Sequence, residues 1–113
     1  MTNSFICVPM YPLAPHHNYT HVFPALEKFY ADLCTKNRSN LPVNIIGDSS
    51  GGGIALSFAQ MIRNNHMPVA EKVILLSPSV DMTPLNKEEE SKALILDKLD
   101  CMLSLNSMDT IRS

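Results

Sequence analysis

Gly47-Asp48-Ser49-Ser50-Gly51 is the stretch whose residue types and spacing point most directly to chemistry. It fits the pattern G-x-S-x-G. An apolar run, Val43-Asn44-Ile45-Ile46, stands directly before it, and a helix-like segment follows directly after. That is the setting of a serine nucleophile on a sharp strand-to-helix turn. The turn lifts the hydroxyl above the sheet. Its backbone geometry costs ~1–3 kcal/mol and has to be held by its surroundings. Glycine at both flanks, Gly47 and Gly51, lets strand and helix approach without Cβ clashes. The helix N-terminus favours negative charge developing at the site. In this reading Ser49 is the nucleophile and the Ser50 N–H donates to the oxyanion, while Gly47, Asp48, Gly51 and Gly52 shape the elbow. Register selects Ser49 over Ser50, because a central Ser50 would need glycine at position 48, which is Asp48.

Two phosphate readings fail. No Lys-Ser/Thr pair follows the glycines, so the G-x-x-x-x-G-K-[ST] loop is excluded. The G-x-G-x-x-G pattern fails because, from Gly51, its third glycine falls on Leu56. A plain tight Gly-rich connection is the remaining alternative.

The elements around the motif read as strand, helix, strand, helix, strand. Phe5-Ile6-Cys7-Val8 is a short apolar run closed by Pro9 and Pro12, read as a buried strand. Tyr11 to Thr20 reads as a loop. Val22 to Arg38 reads as a helix with Pro24 in its first turn. Its apolar face is Leu26, Phe29, Tyr30, Leu33 and Cys34. The second helix starts near Gly51 and runs to about Asn65, burying Ile54, Ala55, Phe58, Ala59 and Ile62. Lys72 to Ser77 is the third strand, stopped by Pro78. Lys87 to Leu99 reads as a charged helix with Glu88 to Glu90 in its first turn and an apolar side of Ala93, Leu94, Leu96 and Leu99. Continuous apolar strands and amphipathic helices argue an α/β fold with a parallel sheet and flanking helices.

The totals bound the function. The chain has 113 residues, 45% of them hydrophobic and 18% charged, with a net charge of −2. One small globular domain fits this length. The charge excludes an electrostatic case for nucleic acid or an anionic membrane. Cys7, Cys34 and Cys101 are odd in number and widely spaced, so they read as reduced thiols in or near a core. That suits a cytoplasmic protein. Met1 to Ser4 carry no basic side chain, unlike a secretory signal. No apolar segment approaches the ~20 residues of a membrane span. No residue set suggests a metal site or a cofactor.

Three stretches resemble the hormone-sensitive-lipase-like branch of α/β-hydrolase esterases and lipases. Tyr11-Pro12-Leu13-Ala14-Pro15, with Pro24-Ala25-Leu26 after it, resembles that branch's Y-x-L-A-P…P-A loop. Gly47-Asp48-Ser49-Ser50-Gly51-Gly52 resembles its G-D-S-A-G-G elbow, and Leu75-Leu76-Ser77-Pro78-Ser79-Val80-Asp81-Met82-Thr83 its L-L-S-P-W-x-D-L-T segment. Leu99-Asp100-Cys101-Met102-Leu103 echoes a D-P-M-L stretch of relatives. Pro12, His16 and Ser79 depart from the Arg, Glu and Trp common at those positions. The resemblance implies carboxyl-ester hydrolysis without a cofactor, on short-chain acyl esters or small amides. A histidine takes the serine's proton and an acid orients that histidine.

The same resemblance implies an incomplete machine. The triad follows the order Ser, Asp/Glu, His. After Ser49 the only histidine is His66, with no acid between, and Asp81, Asp97, Asp100 and Asp109 have no histidine after them. His16, His17 and His21 precede the serine and read as loop or surface residues. The family's H-G-G-G loop would precede the first strand and is absent. The three strands correspond to the family's fourth, fifth and sixth. Its third strand lies between the fourth and fifth, so Phe5–Val8 and Val43–Ile46 lack the neighbour that would separate them. Residues 1–113 are therefore expected to be a partial α/β-hydrolase domain, truncated and inactive alone. Residues 85–113 are either the start of a cap or the next helix. A small acyl ester is the expected substrate if the site is complemented, and unpaired strands favour self-association. The alternatives are a non-catalytic interaction module of hydrolase descent and a half-enzyme completed by another chain.

Overall fold

The computed structural model describes residues 3–13, 16–81 and 86–97. The chain divides into two compact units, Met1–Ser79 and Val80–Ser113.

In the first unit the order is α1 (Tyr19–Lys36), β1 (Asn44–Asp48), α2 (Ser50–Asn64) and β2 (Lys72–Leu76). The strands pair in parallel, Asn44 opposite Lys72 through Asp48 opposite Leu76. Parallel neighbours need a crossover, and α2 supplies it. It packs against both strands, and α1 packs against α2.

Helix α1 begins three residues before the expected Val22. Asn18, expected as a loop residue, is its N-cap, its side chain accepting from the Thr20 N–H at 3.1 Å. Pro24 consequently lies in the second turn, where it leaves the Thr20 carbonyl without the usual donor. Val22, Leu26 and Tyr30, spaced by four, are the buried row of α1. They meet Phe58 and Ile62 of α2, with Val43 and Ile45 packed against the cluster. Of the residues expected along the α2 face, Ala55, Phe58 and Ile62 are buried, while Ile54 and Ala59 are half-buried. The Tyr30 and Phe58 rings meet edge to face, centroids 5.6 Å apart. The Tyr30 hydroxyl donates to the Pro68 carbonyl at 2.8 Å, tying α1 to the loop before β2.

Phe5–Val8 does not form the expected strand. Among the described residues the sheet has two strands, and Phe5, Ile6 and Val8 are 91%, 86% and 76% exposed. A strand is made by its ladder partner, and this run has none. The sheet is covered on one face: in β1, Ile45 and Gly47 turn inward while Ile46 is exposed. Cys34 is half-buried and free, as expected, whereas Cys7 is free but exposed.

In the second unit, α3 spans Lys87–Asp97. The Asn86 side chain accepts from the Glu88 and Glu89 N–H groups, and the Asn86 N–H donates to the Glu89 carboxylate. This reciprocal capping supplies partners for orphan amides at the helix start. Lys92 and Glu88 form an exposed pair one turn apart at 2.7 Å. The expected apolar side chains Leu94, Leu96 and Leu99, together with Cys101 and the Asp100–Leu103 echo, lie outside the described side chains.

Candidate active site

Ser49 sits between the last residue of β1 and the first residue of α2. Its φ of 53° and ψ of −120° form a sparsely populated conformation for a residue with a side chain. The cost is ~1–3 kcal/mol, so the neighbours have to hold it. They do so through its main chain. The Ser49 N–H donates to the Leu76 carbonyl at 2.9 Å, and the Ser49 carbonyl accepts from Gly52, Gly53 and Ser79 at 3.0, 3.3 and 2.9 Å.

Close approach, not positive φ, explains the glycines, since no glycine here has positive φ. A Cβ on Gly47 would collide with the Gly51 carbonyl and stand 2.8 Å from the Ala55 Cβ. One on Gly52 would stand 2.8 Å from the Pro78 Cβ, and one on Gly53 would collide with the Ser79 carbonyl. Gly51 departs from the expectation: a Cβ there would meet nothing within 4 Å. The pentapeptide's second glycine matters through its backbone carbonyl, against which Gly47 packs.

The Ser49 side chain is exposed and has no hydrogen bond among the described residues. Asp48 and Ser50 are exposed beside it. The amides of Ser50 and Gly51 open α2, and such positions have no acceptor within their own helix. Together they make a hydroxyl standing at a helix N-terminus, an arrangement suited to receiving an anion or a developing oxyanion.

The structure does not bring the histidines to this site as hydrogen-bond partners. His17 and His21 contact one another edge to face with centroids 5.2 Å apart, and His21 Nδ1 lies 3.2 Å from Asn18 Oδ1. His16 is exposed in the loop before α1, and His66 is exposed after α2 with a φ of 55°. Among the described residues no group of three His, Cys, Asp or Glu is placed to hold a metal ion. No described helix is long and apolar enough to cross a membrane.

Reading the sequence alone missed Gly53 and the Ser77–Ser79 turn. A signal was present: a third consecutive glycine inside a helix is costly unless space demands it.

With this geometry in hand, the profile of the alpha/beta hydrolase fold family matches residues 1–112. The chain belongs to the alpha/beta hydrolase fold family. Its relatives agree. An esterase of Acinetobacter venetianus is 28% identical over 98 residues, covering 87% of this chain and 31% of the esterase. A triacylglycerol lipase of Mycobacterium tuberculosis is 34% identical over 83 residues, covering 72% of this chain and 18% of the lipase. The crystal structure of a proposed esterase from Staphylococcus aureus superposes with a TM-score of 0.74 at 32% identity, covering 92% of this chain and 34% of that one. The chain thus spans about a third or less of the length of these relatives.

Proposed function

We propose that this hydrolase segment carries the nucleophile and part of the oxyanion site of a serine carboxylic-ester hydrolase. The observation that carries the reading is the Ser49 backbone, φ 53° and ψ −120°, at a strand-to-helix junction with its hydroxyl exposed. Ser49 attacks the acyl carbon, and the Ser50 N–H at the start of α2 donates to the oxygen that becomes negative. Gly47, Asp48, Gly51 and Gly52 complete the elbow. Small acyl esters are the substrate class, in keeping with the esterase and lipase relatives, and the chemistry calls for no cofactor.

A serine nucleophile needs a base to take its proton. His16, His17, His21 and His66 are exposed and none is bonded to Ser49. The 113 residues by themselves are therefore expected to present the nucleophile without turning over. Residues outside this chain, in the same or another polypeptide, would supply the base and its orienting acid. The exposed apolar side chains Ile46, Ile74 and Leu76 favour such completion over a stand-alone role.

Two measurements on the purified chain test this. With imidazole added as an external base, a fluorophosphonate should label Ser49 ahead of the other serines, read by peptide mass mapping. Indifferent labelling would remove Ser49 as nucleophile. Hydrolysis of p-nitrophenyl butyrate should not exceed that of Ser49→Ala. Turnover abolished by the substitution would keep the nucleophile and overturn the incompleteness.

A further inference from the structure

We propose that the Ser77-Pro78-Ser79 turn, seated on Gly52 and Gly53, is a clamp that holds Ser49 in its strained conformation. Gly53, outside the G-x-S-x-G pentapeptide, is then a positioning residue for Ser49. The functional half of this inference rests on Ser49 being the nucleophile.

A residue's φ and ψ are fixed together only when the peptide groups on both sides of its Cα are held. Helix α2 holds one side, through the Gly52 and Gly53 amides on the Ser49 carbonyl. Any residue that opens a helix receives such bonds, and they leave φ unconstrained. The end of β2 and the turn after it hold both sides. The Leu76 carbonyl takes the Ser49 N–H at 2.9 Å, and the Ser79 N–H reaches the Ser49 carbonyl at 2.9 Å. One short segment thus grips Ser49 before and after its Cα.

That grip requires Ser79 to lie against the first turn of α2. The space exists because positions 52 and 53 lack side chains: a Cβ at Gly52 would stand 2.9 Å from the Pro78 Cα, and one at Gly53 would overlap the Ser79 carbonyl. The clamp carries strain of its own, since Ser77 has a φ of 41°. The glycine run therefore serves two partners. Gly47 lets β1 meet α2, and Gly52 and Gly53 let the turn after β2 reach the serine.

The test is Gly53→Ala in the full chain, read by NMR at Ser49. The one-bond Hα–Cα coupling and the Cβ shift distinguish positive from negative φ. The wild-type chain should show the positive-φ signature. The variant should lose it while circular dichroism and the Tyr30–Phe58 ring contacts stay unchanged. A folded variant that keeps the signature overturns the clamp. If Gly53→Ala does not fold, a backbone ester at Ser79, made by chemical ligation, deletes the donor without adding bulk. An unaltered Ser49 signature in that chain overturns the clamp equally.

Fluorophosphonate labelling of Ser49, with imidazole supplied as the base, should fall about tenfold in the folded variants, a loss of one decade in rate. Unchanged labelling in a variant that has lost the signature overturns the positioning role. If wild-type Ser49 is not labelled even with imidazole present, the nucleophile reading and with it the positioning role fail, and the NMR result still decides the clamp.

Discussion

Phe5-Ile6-Cys7-Val8 and Val73-Ile74-Leu75-Leu76 are nearly interchangeable as sequence, two four-residue apolar runs, the first followed by Pro9 and the second by Ser77-Pro78. As structure they differ completely. The second is most of β2, in register with β1 from Lys72 to Leu76. The first has no ladder partner and lies exposed. The difference teaches that an apolar run states a requirement for burial and does not supply it. β2 forms because α2 folds back and delivers it beside β1, only a short loop away. Phe5–Val8 is followed by α1, which packs on α2 and not on the strands, so nothing places it at an edge.

The comparison can be broken at its root by loosening α2. Phe58→Ala empties the centre of the α1–α2 core and should cost about 3–5 kcal/mol. Amide exchange should then accelerate throughout β1 and β2, leaving the 5–8 segment as before. Protection surviving in the strands would show that the pair stands without its helix. Gly47→Ala attacks the contact between β1 and α2 directly. Its Cβ would overlap the Gly51 carbonyl, and overpacking of this kind costs about 1–3 kcal/mol in denaturant midpoints.

Tyr30 sharpens the comparison from the loop that delivers β2. Tyr30→Phe removes the bond to the Pro68 carbonyl and should cost about 0.5–1.5 kcal/mol. Burial, reinforced by neighbouring Cys34, pushes the Tyr30 hydroxyl from its ordinary 10.0 up to about 12. The fold therefore favours the neutral phenol. Its contribution is intact below pH 10 and is lost as pH rises from 10 toward 12. Absorbance titration should show a phenol ionising near 12 that disappears in Tyr30→Phe, and the same substitution should flatten the stability loss in that window. The smallest effect is expected where no ladder formed: Ile6→Ala should change stability by less than about 0.5 kcal/mol. A larger loss would mean that the run is buried after all.

The helices and both strands of the βαβ unit were legible because each carries a local signal. Leu26 and Tyr30 repeat at helical spacing, and the runs around Ile45 and Ile74 are short and bounded. The start of α1 was misread because Asn18 is equally at home in a loop and at an N-cap. The strand-to-helix turn at Ser49 was legible, because motif and context coincide there. Gly53 left only the faint signal of a third consecutive glycine, and Ser79 left none, because a hydrogen bond between residues thirty apart leaves no periodic trace in the chain.

By itself the sequence marked α1, β1, α2, β2 and α3 to within a few residues, together with one strand that did not form, and it marked which serine stands at the turn. Periodicity, capping residues and glycine spacing act over a few residues, and the chain carries them in order. Only the tertiary structure decided which apolar run became a strand, which face of the sheet was covered, and what holds Ser49 in place. Those outcomes depend on pairing between distant segments, and pairing exists only once α2 has brought Leu76 and Ser79 to the end of β1.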